Sequence, residues 1–391
     1  MVCRSLVFMF FILLGIAPAA ARDMAGAGDL KIGMTAALSG PVSYLGRSMR
    51  AGIESYFAEV NATGGIHGRR LKLVVRDDAY DPPTAAHNIL SLIEQDQVLG
   101  IIGSVGTPTA VKTIPIARAH DILFFAAMSG ASILRPVDGD PVIVNFRASY
   151  AEETDAMLDV ILARGIRPEE IAFFTQNDSY GNDGYAGALR ALETRGFQHG
   201  ASLPRGRYER GTLDVENALI TLLDAHRPIK AVIMVGAYAP NAKFIRLARQ
   251  VFTKAIFLNL SFVGSAALKD ALKNTGQGVI VTEVVPPVTS NLRAVTSYRA
   301  AMSRYGGGVT TGVISLEGYL AARVLVAGLR AAGPRPSRKD LITAMHRLGS
   351  FDIGLDEPLI LDARDLQASH RVWPMVIHNG AFEPLITAIK P

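Results

Sequence analysis

Five short stretches of small, uncharged polar residues carry the candidate chemistry of this chain. They are Ser39-Gly40-Pro41 running to Tyr44, the run SVGTPT at 104–109, MSGAS at 128–132, Asp178 to Gly181, and Ser261. Each follows a short apolar run of the kind that forms a buried strand. Hydroxyls and main-chain N–H groups at such places, backed by a helix N-terminus, suit an anion such as a carboxylate. Taken singly, each reads more readily as a helix cap, and Thr107 and Thr109 ahead of a helix at 110–119 are natural N-cap residues. Five such loops on one edge favour a ligand cleft. Tyr44, Tyr150, Tyr180 and Tyr238 lie beside them and offer flat apolar walls with a hydroxyl at the rim, suited to a small amphipathic ligand. The candidate binding residues are therefore Tyr44, Ser104, Thr107, Met128, Ser129, Gly130, Tyr150, Tyr180, Tyr238 and Ser261.

Signs of catalysis are sparse. The eight histidines show no paired metal-ligand spacing, and one cysteine forbids an internal disulfide or a thiolate cluster. No nucleophile elbow, phosphate loop or dinucleotide fingerprint occurs. Asp77, Asp78 and Asp81 read as an acidic turn after a strand rather than a cation site. The expectation is a protein that is not an enzyme and carries no cofactor or metal. Basic residues exceed acidic ones by only five and are scattered, so nucleic acid is not an expected partner.

The elements that position these loops alternate. Apolar runs at 30–36, 71–76, 99–103 and 122–127 read as buried strands, with a helix at 46–61 whose apolar residues Met49, Ile53, Tyr56, Phe57 and Val60 keep helical spacing. The pattern restarts after Tyr150, with strands at 171–175, 231–236, 256–260 and 279–283 and helices at 152–164, 183–195 and 241–251. Strand, helix, strand at this spacing predicts parallel pairing through right-handed crossovers. An internal echo, strand then Ser-Tyr-containing loop then helix at 34–46 and again at 173–184, supports two α/β lobes. A helix at 315–331 is clear, whereas 351–389 holds short strand-like runs broken by Pro358, Pro374 and Pro384.

Arg4, the uncharged apolar run 6–16 and Ala19-Ala20-Ala21 have the layout of a signal peptide cut after Ala21. The uncharged stretch is 17 residues long and contains Pro18, short of a membrane span of about 20. Cleavage leaves an exported chain of 370 residues without cysteine. Its 49% apolar content supplies the cores that must hold it together.

The motifs LKIGMTAALSGP from Leu30, NATGGIHGRRLKL from Asn61, DDAYDP from Asp77, IIGSVGTPTA from Ile101 and YGNDGY from Tyr180 occur in this order over nearly the whole mature chain. In this the chain resembles the leucine/isoleucine/valine-binding proteins, the extracytoplasmic receptors of bacterial branched-chain amino-acid ABC importers. The resemblance implies a type I periplasmic-binding fold. Two Rossmann-like lobes with parallel central sheets would be joined by three crossovers and hinge shut on a ligand in the cleft between them. Residues 29–147 with 286–350 would form the first lobe, and 148–285 with 351–391 the second.

It also implies roles. Thr107 stands where family members offer a hydroxyl to the ligand carboxylate. Gly130 replaces a second hydroxyl, leaving Ser129 and main-chain N–H groups as substitutes. Tyr180 and Tyr238 match the side-chain pocket, and Leu45 replaces an aromatic for which Tyr44 compensates. The family's cysteine pair is Tyr80 and Gly106 here, so its disulfide is absent. Ser261 stands where the amino-acid binders carry an acid for the ligand ammonium, unless Asp178, Asp183 or Glu283 supplies that charge.

The leading expectation is thus a monomeric periplasmic receptor that passes a small ligand to ABC permease subunits. The ligand would be a branched or aromatic amino acid, or an acid or amide without an amine. A ligand-sensing subunit and a secreted enzyme are the competing readings.

Overall fold

The computed structural model describes residues 28–136 and 139–385. The proposed signal peptide lies outside the described residues. The first sheet is built from β1 (Leu30–Ala36), β2 (Leu71–Asp77), β3 (Gly100–Ile102), β4 (Leu123–Phe125) and β5 (Ile143–Val144). Its strand order is β2-β1-β3-β4-β5, and every pair is parallel. Helices α1 (Ser43–Ala62), α2 (Pro82–Glu94) and α3 (Thr107–Ala119) make the connections. The chain then enters a second α/β unit comprising α4 (Tyr150–Ala163), β6 (Ile171–Gln176), α5 (Ser179–Thr194), β7 (Arg205–Tyr208), α6 (Glu216–Leu223), β8 (Ala231–Val235), α7 (Tyr238–Ala248), β9 (Ile256–Leu260), α8 (Ser265–Leu272) and β10 (Ile280–Glu283).

From there the chain returns to the first unit. Helices α9 (Arg293–Tyr305), α10 (Val313–Ala331) and α11 (Arg338–Met345) follow, with α9 and α10 packed on α1. The α1–α10 crossing is tight. A Cβ on Gly52 would fall 1.9 Å from the Ser315 carbonyl oxygen, so glycine is what lets the two backbones meet. A hairpin of β11 (Gly349–Phe351) and β12 (Leu359–Leu361) precedes the last crossing. The final strands β13 (Trp373–His378) and β14 (Ala381–Pro384) join the second sheet, ordered β14-β13-β10-β9-β8-β6-β7.

The alternation read from the sequence is what the chain forms, and β1 and β9 keep the expected bounds. Two differences matter. The second sheet is parallel only as far as β10, because β13 pairs antiparallel with it and β14 with β13. Pro374 is tolerated opposite Thr282 in that pairing near the sheet margin. The 110–119 helix begins earlier, at Thr107, and its N-cap is Gly106 rather than a threonine.

Three chain crossings therefore link the two units. The first and third run side by side: Ala368 N donates to Asn145 O at 3.0 Å and Ser369 N to Phe146 O at 2.9 Å. Arg135 clamps them, donating to the Gln367 side chain and to the Arg147 carbonyl. The crossing opens into α4 through a capping box, in which Ser149 Oγ accepts from Glu152 N and the Glu152 carboxylate accepts from Ser149 N. Among the described residues no helix is long and apolar enough to cross a membrane.

Candidate functional site

The start of α3 forms one end of the site. Gly106 has φ +102°, and a Cβ there would lie 2.2 Å from the Tyr80 ring. A tyrosine against a glycine thus occupies the place where the resemblance puts a disulfide. Thr107 is the first helical residue, and its Oγ1 bonds Ser129 Oγ at 2.8 Å. The cap-like reading fails for this residue. It is Thr109 whose hydroxyl turns back, onto the Val105 carbonyl.

Main-chain bonds hold the neighbouring loops in place. Met128 N donates to Ser104 O and Gly106 N to Met128 O, while the Met128 side chain is buried. Tyr150 N donates to Gly130 O at 2.8 Å, and a Cβ on Gly130 would fall 2.5 Å from that nitrogen. Glycine at 130 therefore admits the Tyr150 backbone. The Tyr150 hydroxyl stands close to those of Ser129 and Thr107, with burial pushing it up to about 12. The Tyr180 ring packs on it at 5.3 Å, and burial raises its hydroxyl well above the ordinary tyrosine range.

The other end is charged. Ser261 Oγ accepts from Arg147 Nη2 and donates to Glu153 at 2.9 Å, while Ser261 N donates to the same carboxylate at 2.7 Å. Thr282 Oγ1 adds a bond to Glu153 at 2.8 Å, and Arg147 Nη2 lies 3.2 Å from it. Glu317 of α10 faces Arg147 Nη1 at 3.6 Å. Glu283, also buried, neighbours this group. Burial first, then Glu153 and Glu317, push its carboxyl up to about 8 against the opposing pull of Ser265 and Arg147. Phe262 ties the two ends together, its ring 4.7 Å from Tyr180 and 6.0 Å from Tyr80.

Among the described residues seven buried side-chain polar atoms lack a hydrogen-bond partner. Five of them are here: Ser104 Oγ, Tyr150 OH, Tyr180 OH, and Nε and Nη1 of Arg147. Such groups are costly unless something else satisfies them, so their concentration makes this place the candidate site.

A family model described as periplasmic binding protein matches residues 29–381. The chain belongs to the periplasmic binding protein family. A possible leucine/isoleucine/valine-binding protein from Rhodopirellula baltica SH 1 superposes with a TM-score of 0.89 at 45% identity, covering 92% of this chain and 97% of that one. The Leu/Ile/Val-binding protein of Escherichia coli K12 is 25% identical over 274 residues, 70% of this chain and 72% of the relative. The solute-binding protein of an R. palustris ABC transporter, in complex with benzoate, shares the fold at a TM-score of 0.76 and 21% identity, covering 92% of this chain and 96% of that chain.

Within this receptor the sequence-derived residues fall into linked groups. Ser104, Thr107, Met128, Ser129, Gly130, Tyr150 and Tyr180 come together at the α3 end. Ser261 belongs to the charged end. Tyr44 and Tyr238 meet edge-on, ring centroids 6.4 Å apart, at the outer side near Gly264. Of the three acids considered as replacements for an acid at 261, two are engaged elsewhere. Asp178 caps α5 through Tyr180 N and Gly181 N, and Asp183 accepts from Ser132 N across to the first unit. Only Glu283 borders Ser261's neighbours. Arg147, Glu153 and Glu317 were not singled out from sequence. For Arg147 and Glu317 the signal was available as a charge inside an apolar run, VIVNFRASY and VISLEGYL, whereas Glu153 sits among other acids in AEETD.

The same crossing carries a pH-sensitive tie. His370 lies 2.6 Å from Glu152 Oε1 and 2.8 Å from Asp365 Oδ2. The bond to Glu152 foremost lifts His370 to about 9, burial opposing and Asp365 assisting. Burial pulls Glu152 upward, but His370, Ser149 and Gln367 outweigh it and bring the carboxyl to about 2. The histidine's contribution to stability is complete below its ordinary 6.5 and is lost as pH rises through about 9. That of Glu152 is complete above its ordinary 4.5 and is lost as pH falls through about 2. The melting temperature of His370→Asn should therefore fall furthest below wild type between those ordinary values, and the gap should close above pH 9. A pH-independent gap would assign the loss to packing.

Proposed function

We propose that this protein is a periplasmic solute receptor of an ABC transporter. It closes over a small carboxylate-bearing ligand and presents it to the membrane permease as a monomer, after cleavage of residues 1–21. The two lobes are residues 29–147 with 286–350 and 148–285 with 351–391, hinged at the three crossings. The observation that carries this reading is the row of buried hydroxyls at the N-terminus of α3, of which Ser104, Tyr150 and Tyr180 lack partners. A carboxylate there accepts from these hydroxyls and gains from the helix end. Ligand that binds the closed form better than the open one draws the lobes together. Relatives whose names specify Leu/Ile/Val, and a structural neighbour holding benzoate, support a small acid as the guest.

The test is a thermal-shift panel on receptor refolded free of bound solute, spanning aliphatic and aromatic amino acids, their deaminated acids, amides and urea. A cognate carboxylate at one hundred times its dissociation constant should add about 2.7 kcal/mol of stability. Silence towards every carboxylate would overturn the reading.

A further inference from the structure

The charged end of the cleft says what else the ligand carries, an inference that rests on the receptor reading above. Nε and Nη1 of Arg147 are buried and make no hydrogen bond, Nη1 facing Glu317 only at 3.6 Å, and a guanidinium can only donate. What completes them must be an acceptor. The groups facing Arg147 come from four elements: Glu153 and Tyr150 of α4, Glu317 of α10, Ser261 after β9, and Tyr180 of α5. Arg135, half-buried beside the first crossing, adds a second cation. Glu153 is already engaged by Ser261 N, Ser261 Oγ, Thr282 Oγ1 and Arg147. Glu317 faces the same guanidinium at 3.6 Å, and burial lifts the neighbouring Glu283 carboxyl to about 8. An incoming ammonium would stand among the Arg147 donors, whereas an oxygen meets them as an acceptor.

One residue links the two ends. Tyr150 stands between them, its hydroxyl beside those of Thr107 and Ser129 and within the influence of Arg147. A ligand spanning them needs its second polar group close to the carboxylate.

We propose that Arg147 is the specificity-determining residue of the cleft. Nε and Nη1 donate to an oxygen adjacent to the ligand carboxylate, with Tyr180 OH as a further partner. The receptor therefore takes 2-oxo or 2-hydroxy carboxylic acids and discriminates against the corresponding α-amino acids.

Calorimetric titration of the refolded receptor with matched pairs tests this: pyruvate and alanine, 4-methyl-2-oxopentanoate and leucine, phenylpyruvate and phenylalanine. At least one oxo acid should bind ten-fold or more tightly than its amino acid. A tighter amino acid in the responding pair would overturn the inference while leaving the carboxylate receptor standing. Binding by no member of any pair, nor by any carboxylate of the wider panel, would overturn both.

Two variants separate ligand reading from scaffolding. Arg147→Lys keeps the charge but removes the Nε–Nη1 edge, and should lower oxo-acid affinity at least ten-fold. Tyr180→Phe removes an unpartnered hydroxyl, so the unliganded melting temperature should hold or rise while oxo-acid affinity drops several-fold. Unchanged affinity in Tyr180→Phe, together with unchanged affinity in a folded Arg147→Lys, would reduce the cluster to a structural ion network.

Discussion

Arg147→Met should destabilise the unliganded receptor by about 3–5 kcal/mol, the cost of removing one partner from a buried ion pair. Methionine fills most of the volume, so the loss comes from charge. Glu153 and Glu317 are buried, and Arg147 is their common cation at 3.2 and 3.6 Å. Both carboxyls already stand above the ordinary glutamate value because burial outweighs the guanidinium, and without it they rise further. The sign follows. A carboxyl whose folded-state value is raised contributes stability that is complete below its ordinary value and is lost as pH rises through the raised one. The deficit of Arg147→Met relative to wild type should therefore grow from pH 5 to pH 8, measured by urea unfolding at each pH. Adding Glu153→Gln should recover part of it by removing one orphaned charge. A deficit equal at both pH values, with no recovery in the double variant, would show that Arg147 acts through its packing alone.

That cluster also shows where sequence reasoning ran out. Strands and helices were legible because each is set by local periodicity: Leu30–Ala36 is an apolar run that can only be buried, and α10 carries apolar residues almost all round. Thr107 was legible because it follows a strand and precedes a helix, which fixes its place at the sheet edge. Whether its hydroxyl caps the helix or faces a ligand was not legible. That turns on one residue of helix register, and Gly106 takes the cap instead.

Arg147, Glu153, Glu317 and Ser261 converge from a crossing, two helices and a strand end, up to 170 positions apart. No local pattern encodes such a meeting. What the sequence did carry was the mismatch of a charge in a buried run. The antiparallel β13 was obscured for a related reason, since Pro374 argues against a strand unless its missing N–H falls at a margin that only the tertiary pairing defines.

Thr107→Val should weaken binding of a carboxylate ligand by about 1.5–3 kcal/mol, the scale of a hydrogen bond to a charged group. The substitution preserves shape and leaves the helix N-terminus in place, so it removes one donor and little else. In the unliganded receptor Thr107 Oγ1 bonds only Ser129 Oγ, and Ser129 retains a bond from Ala131 N at 3.3 Å. Fold stability should therefore change far less than affinity. In the proposed complex the ligand carboxylate draws the Thr107 hydroxyl into a charge-assisted bond that valine cannot make. Titration calorimetry on both proteins, with the carboxylate that responds in the panel, should show roughly a ten- to one-hundred-and-fifty-fold rise in Kd. Equal affinities would remove Thr107 from the site, and with it the carboxylate end on which the orientation of the ligand depends. A matched fall in stability and affinity would mean that the hydroxyl pair holds the two loops together rather than holding the ligand.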